Sequence, residues 1–383
     1  MSVKINRRNW LKSGLAVGLG LGLQHAGATA ILHTGLQNKD EKENTAGGDP
    51  KFVKLNANEN PYGPSQMARD AIVESMTKGN LYPRPFQKQL KEAIAEKEGL
   101  SPDHVLLAAG STEILGVCGL YFGQKGGKFV SEEPTFMSFP LHAQQSGTEW
   151  IKVPMNESMK IDLSKMASAV NRDVRMVYLC NPNNPVGSSR PGAEIRAFIE
   201  EVSAKVPVLV DEAYVDFMQG GRINTVAPLV QKNKNLIVAR TFSKIHGLAG
   251  MRIGYALAHP DTLDQISPLM TNRGMSTSVC SLAAAHASIQ DVEFLDYSLE
   301  QTNKAKKLIY PKLEAWGCTY TKSDTSFVIF NHPSFAQLNF RGELEKRKVL
   351  IRSYSFYDKN WCRVSIGTPE EIGIFLKEME AIL

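Results

Sequence analysis

The sequence predicts an α/β protein with a large domain on a mostly parallel sheet and a smaller α/β C-terminal domain. Three observations lead there. Short apolar runs alternate with helix-like segments from about residue 66 to 264. The residues after four of those runs are polar, small or turn-forming. Beyond 265 the pattern changes to a long helical stretch, short strands and a final helix. At 383 residues the chain is long enough for both domains, and 43% hydrophobic with 22% charged residues is ordinary for a globular protein.

Residues 1–30 read as a removable export signal outside that fold. Asn6-Arg7-Arg8-Asn9-Trp10-Leu11-Lys12 is basic, and the mildly apolar run 13–23 is diluted by Gly14, Gly18, Gly20 and Gly22. Ala28-Thr29-Ala30 then offers small residues for cleavage. A stable membrane span needs about 20 apolar residues, more than this run supplies. The Arg7-Arg8 pair resembles the twin-arginine class, which implies the twin-arginine export machinery as a partner and a periplasmic destination. An amphipathic arm or an uncleaved tether are the alternatives. Residues 1–30 hold four basic residues and no acid, so without them 40 basic residues face 39 acidic ones and the net charge falls from +5 to about +1. The basic excess therefore gives no footing for a nucleic-acid partner. Residues 31–51 are polar and unpatterned, and read as a flexible linker.

Within the large domain, expected at 66–264, the pattern gives a helix over 87–97, a strand over 105–108, a helix over 111–120 and a strand over 128–130. Further strands are expected over 176–180, 208–210 and 236–239, with a helix over 193–202. The smaller domain, 265–383, would hold the helical stretch 281–313 and a final helix over 369–383. Open α/β sheets bind ligands outside the carboxyl ends of their strands. The segments there are Gly110-Ser111-Thr112, Asn181-Pro182-Asn183-Asn184-Pro185, Asp211-Glu212-Ala213-Tyr214 and Thr241-Phe242-Ser243-Lys244. Cys118, Cys180, Cys280, Cys318 and Cys362 are scattered, without metal-ligand spacing, and read as small core hydrophobes. No metal is expected.

The stretch from Thr241 to Gly254 is the most informative. It sets Lys244, preceded by Ser243, eight positions before Arg252 in a glycine-punctuated loop after an apolar strand. A carbonyl cofactor bearing a phosphate needs an amine to condense with and donors for the phosphate, and this loop can supply both. Taken alone, the same residues read more readily as a surface lysine and arginine.

Other segments extend the pattern: Asn58-Glu59-Asn60-Pro61-Tyr62-Gly63-Pro64, Leu81-Tyr82-Pro83, Ala109 to Glu113, Glu133-Pro134-Thr135-Phe136, Asn181 to Gly187, Asp211 to Tyr214, and Arg363 to Thr368. In this order, from about residue 52 to the C-terminus, they resemble the fold-type I pyridoxal-phosphate aminotransferases, most closely the histidinol-phosphate aminotransferase family. The resemblance implies pyridoxal 5′-phosphate as cofactor and ping-pong exchange of an amino group between an amino acid, or a histidinol-phosphate-like amine, and a 2-oxo acid. It further implies an N-terminal arm, 52–65, packed with the small domain, and a homodimer with shared active sites. Lys244 resembles the lysine that carries the cofactor covalently and moves the proton. Asp211 matches the carboxylate for the pyridine nitrogen, although an Asp after a strand is ordinarily a cap or turn residue. Tyr214 and Asn184 match donors to the phenolic oxygen. Arg252, Ser243 and Thr241, with the amides of Ser111 and Thr112, match the phosphate cup. Phe136 takes the ring-stacking position, or is simply core. Tyr82 would reach the phosphate in the neighbouring subunit. Arg363 resembles the arginine for the substrate's anionic group, Arg352 a second one, and Tyr62 would line the substrate pocket.

Two departures from the family pattern fall on the substrate side. Ser276-Thr277-Ser278-Val279 stands where a Pro-aromatic-Asn-Val element is usual, and Ser326 precedes Phe327-Val328 in place of Asn. A decarboxylase of a phosphorylated amino acid on the same scaffold, or a non-catalytic exported binding protein, are the other readings that fit.

Overall fold

Seven strands in one sheet bring the polar segments named above to a common edge. The structure is a computed structural model that describes residues 52–271 and 276–383; the expected export signal and linker lie outside these. In chain order the strands are β1 (Val53–Lys54), β2 (Val105–Ala108), β3 (Lys128–Glu133), β4 (Glu149–Pro154), β5 (Val174–Cys180), β6 (Val208–Asp211) and β7 (Leu236–Thr241). There follow β8 (Gly254–Ala258), β9 (Thr319–Tyr320), β10 (Phe327–Asn331), β11 (Val349–Leu350), β12 (Arg352–Phe356) and β13 (Lys359–Ser365). The large sheet has the order β2-β8-β7-β6-β5-β3-β4. Strands β4, β3, β5, β6 and β7 are mutually parallel, so the sheet is mostly parallel, as the sequence pattern predicts. Strand β8 runs antiparallel to both β7 and β2, because Thr241–Ile253 turns the chain straight back instead of crossing over through a helix. Strand β6 is buried at every position and β7 at all but its last, which is why these segments read as unbroken apolar runs. One core, with Val177, Val208 and Val238, lies on one face, and a second, with Tyr178, Leu209 and Ile237, on the other.

The second part is an antiparallel sheet, β12-β13-β10-β9, covered by the helices Val292–Ala315 and Pro369–Glu380. Ala305, Ile309 and Leu313 of the first and Ile372, Phe375 and Met379 of the second share one core with Val328 and Val364. A Thr368/Glu371 capping box starts the last helix. The N-terminal arm joins this part: β1 pairs with β11, and Leu55 is buried in the same core. Among the described residues no helix is long and apolar enough to cross a membrane.

One expectation is corrected. The helical stretch 281–313 is two helices, Val279–Gln290 and Val292–Ala315, divided at Asp291, whose carboxylate accepts from the Phe294 amide at 3.1 Å and so caps the second. Leu282, Ala284 and Ala285 of the first helix pack into the large-sheet core.

Candidate active site

The carboxyl ends of β5, β6 and β7, the start of the helix Ser111–Gly123 and the β12–β13 hairpin enclose a cavity of about 430 Å³. Its walls include Ser111, Thr112, Phe136, Asn184, Asp211, Tyr214, Thr241, Ser243, Lys244, Arg252, Arg352 and Arg363. Residues from widely separated stretches of sequence therefore meet at one place. Tyr62 and Tyr82 are not among the walls. Tyr62 packs edge-on to Tyr297 at 5.2 Å, and Tyr82 is 82% exposed on the surface.

At the end of β6, Asp211 is 2% exposed, and it accepts from the Ala213 amide at 3.1 Å and more distantly from the Tyr178 hydroxyl at 3.4 Å. Burial lifts its carboxyl to about 6. A buried carboxylate facing a cavity in this way suits a protonated ring nitrogen.

Lys244 follows β7. Its Nζ donates to the Asn58 carbonyl at 3.1 Å and lies 5.6 Å from the Tyr214 ring centre. Desolvation, then the charge of Arg363, lowers its amine from 10.5 to about 8, against the opposing pull of Glu59 and Asp211. A lysine in this state holds a usable free-amine fraction near neutral pH.

The residues expected to form the phosphate cup are brought together by close approach. Gly110, at φ +87°, precedes the helix Ser111–Gly123, and a Cβ there would sit 2.6 Å from Arg252 Nη2. Only glycine lets the guanidinium lie over the helix start, where unpaired amides already favour an anion. The Thr241 hydroxyl donates to Ser243 Oγ at 2.9 Å, setting both hydroxyls beside the cup. Amine, ring-nitrogen partner and phosphate cup thus fit pyridoxal 5′-phosphate.

On the other wall, Arg363 is 3% exposed. Its guanidinium lies 5.0 Å from the Phe327 ring centre and 5.3 Å from that of Tyr354. It donates to Asn184 Oδ1 at 2.6 Å and the Asn56 carbonyl at 3.2 Å, while Nε has no partner. Arg352 stands directly opposite it in the β12–β13 register. Two like charges across a strand pair repel each other, so the arrangement favours a shared anion in the cavity.

Some contributors carry no role that the sequence makes legible. Asn58, at φ +55°, donates through Nδ2 to the Tyr214 hydroxyl at 2.9 Å and accepts through Oδ1 from Ser365 at 2.9 Å. The available signal is its place in Asn58-Glu59-Asn60-Pro61, since asparagine tolerates positive φ better than most residues. Glu132 supports the Asn181–Pro185 turn: its Oε1 accepts from the Thr135 hydroxyl at 2.7 Å, the Cys180 amide at 2.9 Å and Asn183 Nδ2 at 3.1 Å. Burial raises its carboxyl to about 8. Below the site, buried Arg240 pairs with Glu212 at 2.8 Å, tying the end of β6 to β7, and Arg222 pairs with Glu98 at 2.6 Å. No local pattern marks such long-range pairs.

Fold and cavity together define a pyridoxal-phosphate-dependent transferase of fold type I. The family model for aminotransferase class I and II matches residues 50–379. A histidinol-phosphate aminotransferase of Symbiobacterium thermophilum is 35% identical over 334 residues, covering 87% of this chain and 91% of its own length. Another, from Lactiplantibacillus plantarum, is 33% identical, with 85% and 90% covered. The crystal structure of histidinol-phosphate aminotransferase from Sinorhizobium meliloti in complex with pyridoxal-5′-phosphate superposes with a TM-score of 0.79 at 26% identity, covering 87% of this chain and 92% of that one. The chain belongs to the aminotransferase class I and II family and is an aminotransferase that uses pyridoxal 5′-phosphate. An L-threonine-O-3-phosphate decarboxylase from Porphyromonas gingivalis shares the fold at a TM-score of 0.74 and 21% identity.

Proposed function

We propose that the enzyme exchanges an amino group between an amine bearing a carboxylate or phosphate and a 2-oxo acid, both partners using the one cavity in turn. The observation that carries this is the pair Arg352 and Arg363 sharing that cavity with Lys244 and Asp211. Arg363 would take the substrate's anionic group, and its contact to Asn184 Oδ1 leaves the Asn184 amide nitrogen to donate to the cofactor. When bound, the cofactor supplies an electron sink for the substrate Cα. Lys244 would hold it covalently and then, as free amine, move the Cα proton. Asp211 would keep the ring nitrogen protonated, Tyr214 and Asn184 would orient the phenolic oxygen, Arg252, Ser243, Thr241, Ser111 and Thr112 would grip the phosphate, and Phe136 would support the ring face. The names of the relatives make histidinol phosphate the first amine to try, beside aromatic amino acids and glutamate.

The test is the spectrum of purified holoenzyme. The yellow band should bleach with an amino donor and return with a 2-oxo acid. Release of carbon dioxide in place of oxo-acid formation would overturn the reading.

Two further parts of the reading rest on other observations. Tyr82, exposed and absent from the walls of its own cavity, fits a homodimer in which it completes the partner's site; activity that stays constant on dilution to a demonstrated monomer would refute this. The Arg7-Arg8 segment supports export to the periplasm by the twin-arginine route. Replacing both arginines with lysine should then retain the protein in the cytoplasm, and unchanged periplasmic accumulation would exclude that route.

A further inference from the structure

A second cavity, of about 540 Å³, lies between the helix Val292–Ala315 and the loop that follows the Asn181–Pro185 turn. Lys160, Lys306, Lys307 and Lys322 line it with Ser189 and Asp324. On the helix side, Lys306 and Lys307 share one face with Asn303 and Tyr310, at spacings of three, four and seven residues. Among the described residues, none of the four lysines is in an ion pair. The single carboxylate in the walls, Asp324, is engaged by the Ser189 hydroxyl at 2.5 Å.

Lys306 distinguishes this cavity from a patch of surface lysines. It is 5% exposed, and its Nζ donates to one neutral acceptor, the Ser323 carbonyl, at 3.0 Å. Burial holds its amine down at about 8, with Asp324 as the countering charge. A buried ammonium without a carboxylate contact is costly unless an anion joins it, and four lysines against one aspartate leave room for two or three negative charges.

The walls also connect to the active site. The Asp324 amide donates to the Gly187 carbonyl at 2.8 Å, and the Thr321 hydroxyl to the Val186 carbonyl at 2.6 Å; both acceptors are within three residues of Asn184. Three residues beyond Asp324, Phe327 carries the Arg363 guanidinium.

We propose that this cavity binds a small polyanion, a metabolite bearing phosphate or several carboxylates, and that its occupancy alters substrate affinity at Arg363. The site is separate from the catalytic cavity and does not depend on which amine the enzyme uses.

The test titrates holoenzyme with pyrophosphate and, separately, citrate by calorimetry at constant ionic strength; whichever binds identifies phosphate or carboxylate chemistry. The expected result is saturable binding that weakens at least tenfold in Lys306→Met and in Lys307→Gln/Lys322→Gln. The double variant replaces exposed residues, so it keeps the test meaningful if Lys306→Met fails to fold. The bound anion should also change KM for the amino donor at least twofold in the wild type and not in the double variant. Failure of both anions to bind, or equal affinity in the lysine variants, overturns the site. Binding lost only in Arg352→Gln would locate the anion in the catalytic cavity and equally overturn it. Binding with unchanged KM overturns the coupling.

Discussion

With Lys244 as the amine that captures the cofactor, its lowered pKa should make capture by the apoprotein steeply dependent on pH. At pH 7 an amine of pKa about 8 is about 9% neutral and one of 10.5 about 0.03%, roughly a 300-fold difference in the reactive form. Only the neutral amine can attack the cofactor aldehyde, so the second-order rate of covalent capture should rise about tenfold per pH unit from 6.5 and bend to a plateau near pH 8. Stopped-flow absorbance between pH 6.5 and 10 measures this, starting above the second ionisation of the phosphate at about 6. The perturbation that tests the cause is Arg363→Gln. After desolvation, Arg363 is the largest influence lowering the Lys244 amine, so its removal should move the bend to higher pH. A rate that keeps climbing to pH 10 in the wild type would refute the assignment of a depressed amine. A bend that does not move in Arg363→Gln would refute Arg363 as its electrostatic neighbour.

Arg363→Lys keeps the charge but removes the planar fork held between Phe327 and Tyr354 and bonded to Asn184 and Asn56; kcat/KM for an anionic amino donor should fall about 30- to 100-fold, about 2–3 kcal/mol for charge-assisted contacts, as read from initial rates. Gly110→Ala forces a Cβ to 2.6 Å from Arg252 Nη2 at φ +87°, so cofactor affinity should drop at least tenfold by equilibrium dialysis, and wild-type retention would count against the phosphate cup. Asn58→Ala strands the buried Tyr214 hydroxyl, worth about 1–3 kcal/mol, leaves the Ser365 hydroxyl only its contact with the residue-58 amide, and leaves a positive φ without asparagine; Asn58→Gly should lose the same activity yet retain more stability in urea denaturation. For Glu132, the folded pKa of about 8 exceeds the ordinary 4.5, so its contribution is complete below about 4.5 and is lost as pH rises through 8. Glu132→Gln cannot ionise, and its Tm advantage over the wild type should grow from pH 5 to pH 8.5; a constant difference would contradict this.

The turn segments after β2, β5, β6 and β7 are legible in the sequence because each combines an abrupt loss of apolarity with residues of specific chemistry. Buried parallel strands read as apolar runs, and the function of a sheet edge resides in the loops at their carboxyl ends. Lys244, Asp211, Asn184 and Arg252 stand out on that basis, and all line the cavity. The strand Gly254–Ala258 does not stand out, since small and apolar residues after a glycine loop carry no signal of direction. Asn58 is visible as part of a motif, but its partners Tyr214 and Ser365 lie 156 and 307 positions away. Glu132 has no local signal at all.

The sequence by itself determined the chemistry: a lysine, a carboxylate, an arginine and amide donors at strand ends, arranged in the order that marks the family. Local composition suffices there because each feature resides within a few consecutive residues. Tertiary structure decided the electrostatics. That Lys244 titrates near 8, that Arg363 is buried between two rings without a carboxylate, and that Arg352 faces it across a hairpin all depend on groups far apart in the chain, desolvated together. Desolvation and Coulomb interaction depend on distance through space, which residue order does not contain.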